Sequence, residues 1–216
     1  MPASIPDNHF PLAVQNTRSA DRLFQAPEYR AASIRLLYGS RFPHKLALYG
    51  AGRLLMRGET VLVLDGANST DAYFLCKIAR AFGRRPEDVL SCLQVSRAFT
   101  CYQMVELVLR ELPPAIARTD CSLVLCAGLP ATFYDEHVSL PEAMQLLKQV
   151  LEQIRTLAEG PTTFVITASE PTASVKGRVV LLDLLKREAQ FVCRVERDGT
   201  GFVLHREKPD LSTFVG

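Results

Sequence analysis

The sequence predicts an α/β domain with a mostly parallel central sheet flanked by helices and antiparallel edge strands at its C-terminal end. Three observations predict it. First, Thr60-Val61-Leu62-Val63-Leu64-Asp65 is a continuous apolar run, as expected of a strand buried on both faces of a parallel sheet, and Ser122–Cys126 and Thr163–Thr167 are further strands. Second, segments with the apolar spacing of helices alternate with these runs, the pattern of strands joined by crossover helices. Third, Asp198-Gly199-Thr200-Gly201 reads as a hairpin turn between the last two runs, which makes the end of the sheet antiparallel.

The elements follow in order. Residues 1–30 form an irregular extension with Pro2, Pro6, Pro11 and Pro27 scattered through polar sequence, and residues 31–216 form the core domain. Ser33 to Tyr38 reads as a strand. Residues 45–56 carry Leu46, Tyr49, Leu54 and Leu55 near one helical face, and Gly58 ends that helix. After the strand 60–65, Asn68-Ser69-Thr70-Asp71 supplies a cap for a helix over 72–82, closed by Gly83. Arg84 to Asp88 starts a short helix running through Leu93, followed by a strand over 93–98. Residues 102–111 read as a helix that Pro113-Pro114 stops. Residues 141–159 form a long amphipathic helix with Met144, Leu147, Val150, Leu151 and Ile154 along a stripe. In the last third, 179–185, 191–197 and 201–205 read as strands or helix–strand pieces.

Composition narrows the class. A chain of 216 residues suits one α/β domain, and 48% hydrophobic residues give it ample core. No run of 18 or more uncharged apolar residues occurs, so no membrane span is expected. No basic stretch leads into an apolar one at the N-terminus, so no signal peptide is expected. The six cysteines form no C-x-x-C pair and read as reduced, buried thiols of a cytoplasmic protein. The net charge of +2 neither demands nor excludes a nucleic-acid partner.

Gly39-Ser40-Arg41-Phe42-Pro43-His44-Lys45-Leu46 has the frame of a phosphate-binding loop, G-x-x-x-x-G-K-[ST], between a strand and a helix. Gly39 and Lys45 are in place. His44 replaces the second glycine, whose bare backbone lets N–H groups curl around phosphates, and Leu46 replaces the hydroxyl that holds Mg²⁺. Two readings of Lys45 stand here: a residual phosphate contact, or a solvated lysine at a helix start.

Residues 65–106 then resemble the core of RadA-type recombinases, the archaeal and eukaryotic relatives of RecA. The matching pieces are Ile78-Ala79-Arg80-Ala81-Phe82-Gly83, Glu87-Asp88-Val89-Leu90, Val95-Ser96-Arg97-Ala98-Phe99 and Gln103, in the family's order and spacing. The resemblance extends over roughly residues 33–208 and implies a RecA-like P-loop NTPase core. It also implies lost chemistry. The family's catalytic Glu falls near Ala67, the Walker B Asp falls where Ala127 and Gly128 follow Cys126, and the nucleotide-sensing Gln falls near Ser169. Phosphoryl transfer depends on such groups for charge stabilisation and positioning. The resemblance therefore implies a pseudo-ATPase with no catalytic residues, no metal and no required cofactor, ATP binding being possible but not expected.

It further implies partners. Two family loops touch DNA. The first falls around 134–141 and carries Asp135 and Glu136, with Glu142 beside it, all repulsive to phosphate. The second falls around 170–178, with Lys176 and Arg178, and with Lys186 and Arg187 nearby, a basic set able to hold phosphates or simply to face solvent. Asp135-Glu136-His137 lacks metal-ligand spacing and reads as an exposed loop. Phe10-Pro11-Leu12-Ala13 matches F-x-x-A, the family's motif for docking a Phe and an Ala on a neighbouring core, or is a tail with a stray Phe. The expected function is that of an inactive recombinase paralog serving homologous recombination and repair, through assembly with itself or an active recombinase and contact with single-stranded DNA. Two alternatives remain open: a nucleotide-binding protein with weak ATPase activity, and a regulatory or structural module that does not bind DNA.

Overall fold

A computed structural model of the chain describes residues 13–14, 34–40, 42–171, 177–198 and 201–208. The core strands are β2 (Ile34–Gly39), β3 (Val61–Asp65), β4 (Leu93–Arg97), β5 (Leu123–Ala127), β6 (Thr163–Ser169), β7 (Phe191–Asp198) and β8 (Gly201–Lys208), and Ala13–Val14 form a short β1. They make one eight-stranded sheet in the order β1-β8-β7-β2-β6-β5-β3-β4. Every neighbouring pair is parallel except β7 and β8, which pair antiparallel from Asp198 opposite Gly201 onward. The expected parallel sheet with an antiparallel end is therefore present.

Helices cover both faces because successive strand residues point to opposite sides. On one side, Leu37, Val63, Leu125 and Val165 pack against α1 (Pro43–Leu55), α2 (Ala72–Ala81) and α3 (Pro86–Leu90). On the other, Leu36, Leu64, Val124 and Ile166 pack against α4 (Cys101–Glu106), α5 (Leu112–Thr119), α6 (Leu140–Ala158) and α7 (Val179–Glu188). The long helix α6 buries Ala143, Leu147, Val150, Leu151 and Ile154, close to the expected stripe, with Met144 partly buried beside it. Ser139 caps its first turn by accepting from the Glu142 N–H at 3.4 Å.

Two expectations are corrected. Pro113 and Pro114 do not stop the helix before them. A π turn over Leu107–Glu111 joins α4 to α5, and both prolines fall in the first turn of α5. Proline lacks an N–H and crowds the carbonyl one turn back; the wider π turn supplies the extra room. The region 179–185, left open between helix and strand, is the helix α7, whose buried residues are Leu181, Leu182, Leu184 and Leu185.

The sheet ends differ in exposure. β2, β3 and β5 are buried along their whole length, whereas β4 is an edge strand with Gln94, Val95, Ser96 and Arg97 exposed. No helix among the described residues is long and apolar enough to cross a membrane.

Candidate functional site

In parallel sheets, ligands bind beyond the carboxyl ends of the strands, where adjacent strands send their connections in opposite directions. Here that point lies between β3, which leads outward to β4, and β5, which leads back to β6. The loop from Gly39 to Lys45 overlooks the same end from β2.

His44 lies beside this crevice, against the end of β6 and the turn after β5. Its Nδ1 lies 2.5 Å from Thr167 Oγ1 and its Nε2 lies 3.2 Å from Ser169 Oγ, both on the end of β6. Thr167 Oγ1 also accepts the Gly128 N–H at 2.8 Å. The neutral ring satisfies this network, with Nδ1 accepting from Thr167 and Nε2–H donating to Ser169. Burial accordingly holds the His44 pKa below its ordinary value, against an upward pull from the Asp65 carboxylate.

The rest of the loop departs from a phosphate cradle. Pro43 stands in the first turn of α1 and offers no N–H; Phe42 caps the helix without a side-chain bond. Leu46 is fully buried in the core. Lys45 is exposed, and its Nζ sits 5.2 Å from the centre of the Phe74 ring. Gly39 retains its requirement for glycine for a different reason: a Cβ there would lie 2.2 Å from the Val195 carbonyl oxygen.

The crevice between β3 and β5 is closed by the backbone itself. Gly66 donates to the Ala127 carbonyl at 2.9 Å. Gly128 has φ +63°, and a Cβ on it would fall 2.3 Å from Ala67 Cβ and 3.2 Å from His44 Cε1. Asp65, the carboxylate nearest this point on β3, is fully buried and already committed. It accepts from the Ser69 and Thr70 N–H groups at 3.0 Å each and faces Arg97 Nε at 3.6 Å. Burial alone would raise its pKa; those N–H groups, the Thr70 hydroxyl and the Arg97 charge outweigh burial and hold it below the ordinary value. Asp65 thus organises the turn that leads to the Asp71 cap of α2. This donor set does not fit a nucleotide phosphate with Mg²⁺: the glycine, the hydroxyl and a second carboxylate are missing, and a side chain fills the space. Among the described residues, no group of three or more His, Cys, Asp or Glu is placed to hold a metal ion.

The other expected residues scatter. Arg178 is only 8% exposed. It donates from Nη1 to the Phe133 carbonyl at 2.9 Å and from Nη2 to the Val138 carbonyl, tying the 3₁₀ turn Leu129–Phe133 to the loop after it. The guanidinium offered above as a DNA contact is bonded within the fold. Lys186 is bound as well, with Nζ 3.9 Å from the Tyr38 ring centre and 3.5 Å from Glu207, while the Tyr38 hydroxyl donates to Glu207. Burial works against the Lys186 charge, but Tyr38 and Glu207 outweigh it and its pKa is raised. Arg187 is exposed and lies 3.2 Å from Glu188. Lys176 and Phe10 lie outside the described residues. The Ala13 backbone pairs in parallel with Gly201 at the far edge of this chain's own sheet. Asp135 holds His137 through its N–H and ring at 2.9 Å, a local loop contact.

Thr167 and the missing Pro43 donor complete the site. Pro43 was visible; Thr167 was not, because it meets His44 across 123 positions of chain. No protein-family model matches the sequence, and no curated protein matches it.

Proposed function

We propose that the chain is a RecA/RadA-like core that has lost ATP turnover. It works as an accessory factor in homologous recombination and repair, assembling with itself or with an active recombinase and contacting single-stranded DNA. The observation that supports this most is the His44 ring held by Thr167 and Ser169 where the loop frame calls for bare glycine backbone. The strand–loop–helix frame around Gly39 and Lys45 is kept while the groups for phosphate and Mg²⁺ are replaced by packing. A fold that keeps its core and loses its chemistry suits a scaffold.

The test is association. The purified chain is mixed with a RadA-type recombinase and run on size exclusion, with and without single-stranded DNA. Co-elution, or a change in filament length on the DNA, is the expected result. A chain that neither co-elutes with a recombinase nor binds single-stranded DNA refutes the reading and leaves a regulatory or structural module without DNA binding.

A further inference from the structure

We propose that the outward face of α2 and the turn after it bind single-stranded nucleic acid. Tyr73, Lys77, Arg80 and Arg84 are all exposed. Tyr73, Lys77 and Arg80, at intervals of four and three residues, share one side of the helix, and Arg84 follows in the turn after it. The opposite side of α2 buries Phe74, Leu75, Ile78 and Ala79, which fixes the helix against the sheet and presents the basic stripe to solvent. Past the helix end Gly83 turns the chain at φ +66°, and Arg84 closes that turn with its N–H on the Ala79 carbonyl at 2.9 Å.

Lys77, Arg80 and Arg84 have no ion pair or hydrogen-bonding side chain among the described residues. Arg85 extends the run and meets Glu87 and Asp88 only at 3.9 and 4.0 Å. This contrasts with Arg178 and Lys186, whose charges are used inside the fold. At a rise of 1.5 Å per residue, Lys77 and Arg80 stand about 5 Å apart along the helix, and Arg84 follows in the turn beyond it, so the three cations can meet neighbouring phosphates of an extended strand.

Two aromatic rings stand at one end of the stripe. Tyr73 is 84% exposed on the first turn of α2, and Phe99 is 71% exposed just past β4. Both emerge at the carboxyl end of the β3–β4 pair, because Ala98 N–H bonds to the Asp65 carbonyl at 3.2 Å while Thr70 N–H bonds to the Asp65 carboxylate. Free cations tracking a backbone and exposed rings for base stacking are the two components of sequence-tolerant single-strand binding. The rings favour a nucleic acid over an acidic protein segment, which needs the cations alone. This inference rests on the proposed function only for the class of ligand; it moves the contact away from residues 170–178.

The test is fluorescence anisotropy of a labelled oligothymidylate across a salt series. Wild type is compared with the triple variant Lys77→Ala/Arg80→Ala/Arg84→Ala, with Tyr73→Ala, and with Arg187→Ala. Thermal melts by circular dichroism confirm folding, which exposed positions leave intact. The triple variant should bind weakly and its log–log salt slope should fall by about 2, from about 0.7 for each of three lost phosphate contacts. Tyr73→Ala should weaken binding roughly tenfold with the slope unchanged, the effect of one lost base stack. Arg187→Ala should match wild type. An unchanged slope in the triple variant overturns the proposal, as does a wild type that binds no oligonucleotide. A loss confined to Arg187→Ala overturns it too, while leaving DNA contact by the chain intact. Equal binding of polyglutamate, indifferent to Tyr73→Ala, overturns it in favour of an acidic protein partner.

Discussion

The carboxyl end of the sheet and its β4 flank use similar residue types in opposite ways. At the carboxyl end, polar groups are turned inward and satisfied: His44 on Thr167 and Ser169, Asp65 on Ser69 and Thr70, Gly66 and Gly128 in backbone contact. At the flank, the side chains of Tyr73, Phe99, Lys77, Arg80 and Arg84 face solvent with no hydrogen-bond or ion-pair partner among the described residues. A crevice that holds a charged ligand must leave donors unpaired until the ligand arrives, since buried polar groups demand partners. The crevice here has supplied its own. The difference teaches that the polar groups at the carboxyl end are committed to one another, whereas the charges of the flank are presented at the surface.

The largest test of that contrast is a pair of aromatic truncations. Phe164 on β6 is fully buried on the sheet face covered by α4 to α7. Phe164→Ala should cost about 3–5 kcal/mol of unfolding free energy in a denaturant titration. Phe99→Ala should stay within about 0.5 kcal/mol, as exposed substitutions do. Comparable losses at the two sites would mean that the flank is packed rather than open.

Arg178→Ala comes next. Removing a buried guanidinium that serves two carbonyls should cost about 1.5–3 kcal/mol, the range for hydrogen bonds to charged groups. Its salt slope for oligonucleotide binding should match that of wild type. A stable Arg178→Ala protein with a reduced slope would return this residue to the DNA-contacting set.

The smallest effect is in pH. His44 is held below its ordinary value of 6.5 by burial, so the unfolded chain takes up this proton first on acidification. Stability should therefore fall as pH drops below about 6.5 and level off beneath the folded value. Melting temperatures of wild type and His44→Gln, followed from neutral pH downward, should separate by that slope alone. Asp65 acts lower on the scale: its depressed pKa stabilises the fold above 3.8 and loses that contribution as pH falls through the folded value. Parallel curves for the two proteins near pH 6 would show that His44 is not buried in solution.

How far the sequence carried follows the range of the forces involved. The strands at Val61, Leu123 and Thr163 were readable because a strand buried on both faces must be apolar throughout. The loop frame at Gly39 and Lys45 was readable because it is local, and its placement between β2 and α1 is as expected. The helix through Pro113 was misread because one π turn, decided by packing, offsets a strong local signal. The pairing of His44 with Thr167, and the use of Arg178 and Lys186 inside the fold, depend on contacts between distant segments. A basic residue looks the same in sequence whether it faces phosphate or a buried carbonyl. The exposed stripe on α2 was legible in principle from its helical spacing, but only the sheet shows which face is covered.

The most direct test of the closed crevice is calorimetric titration of ATP into wild type and Lys45→Ala, each with and without Mg²⁺. The closed crevice predicts no saturable binding in any of the four titrations. Mg²⁺-dependent binding to wild type that Lys45→Ala abolishes would contradict it, and would mean that His44 swings aside to admit a nucleotide.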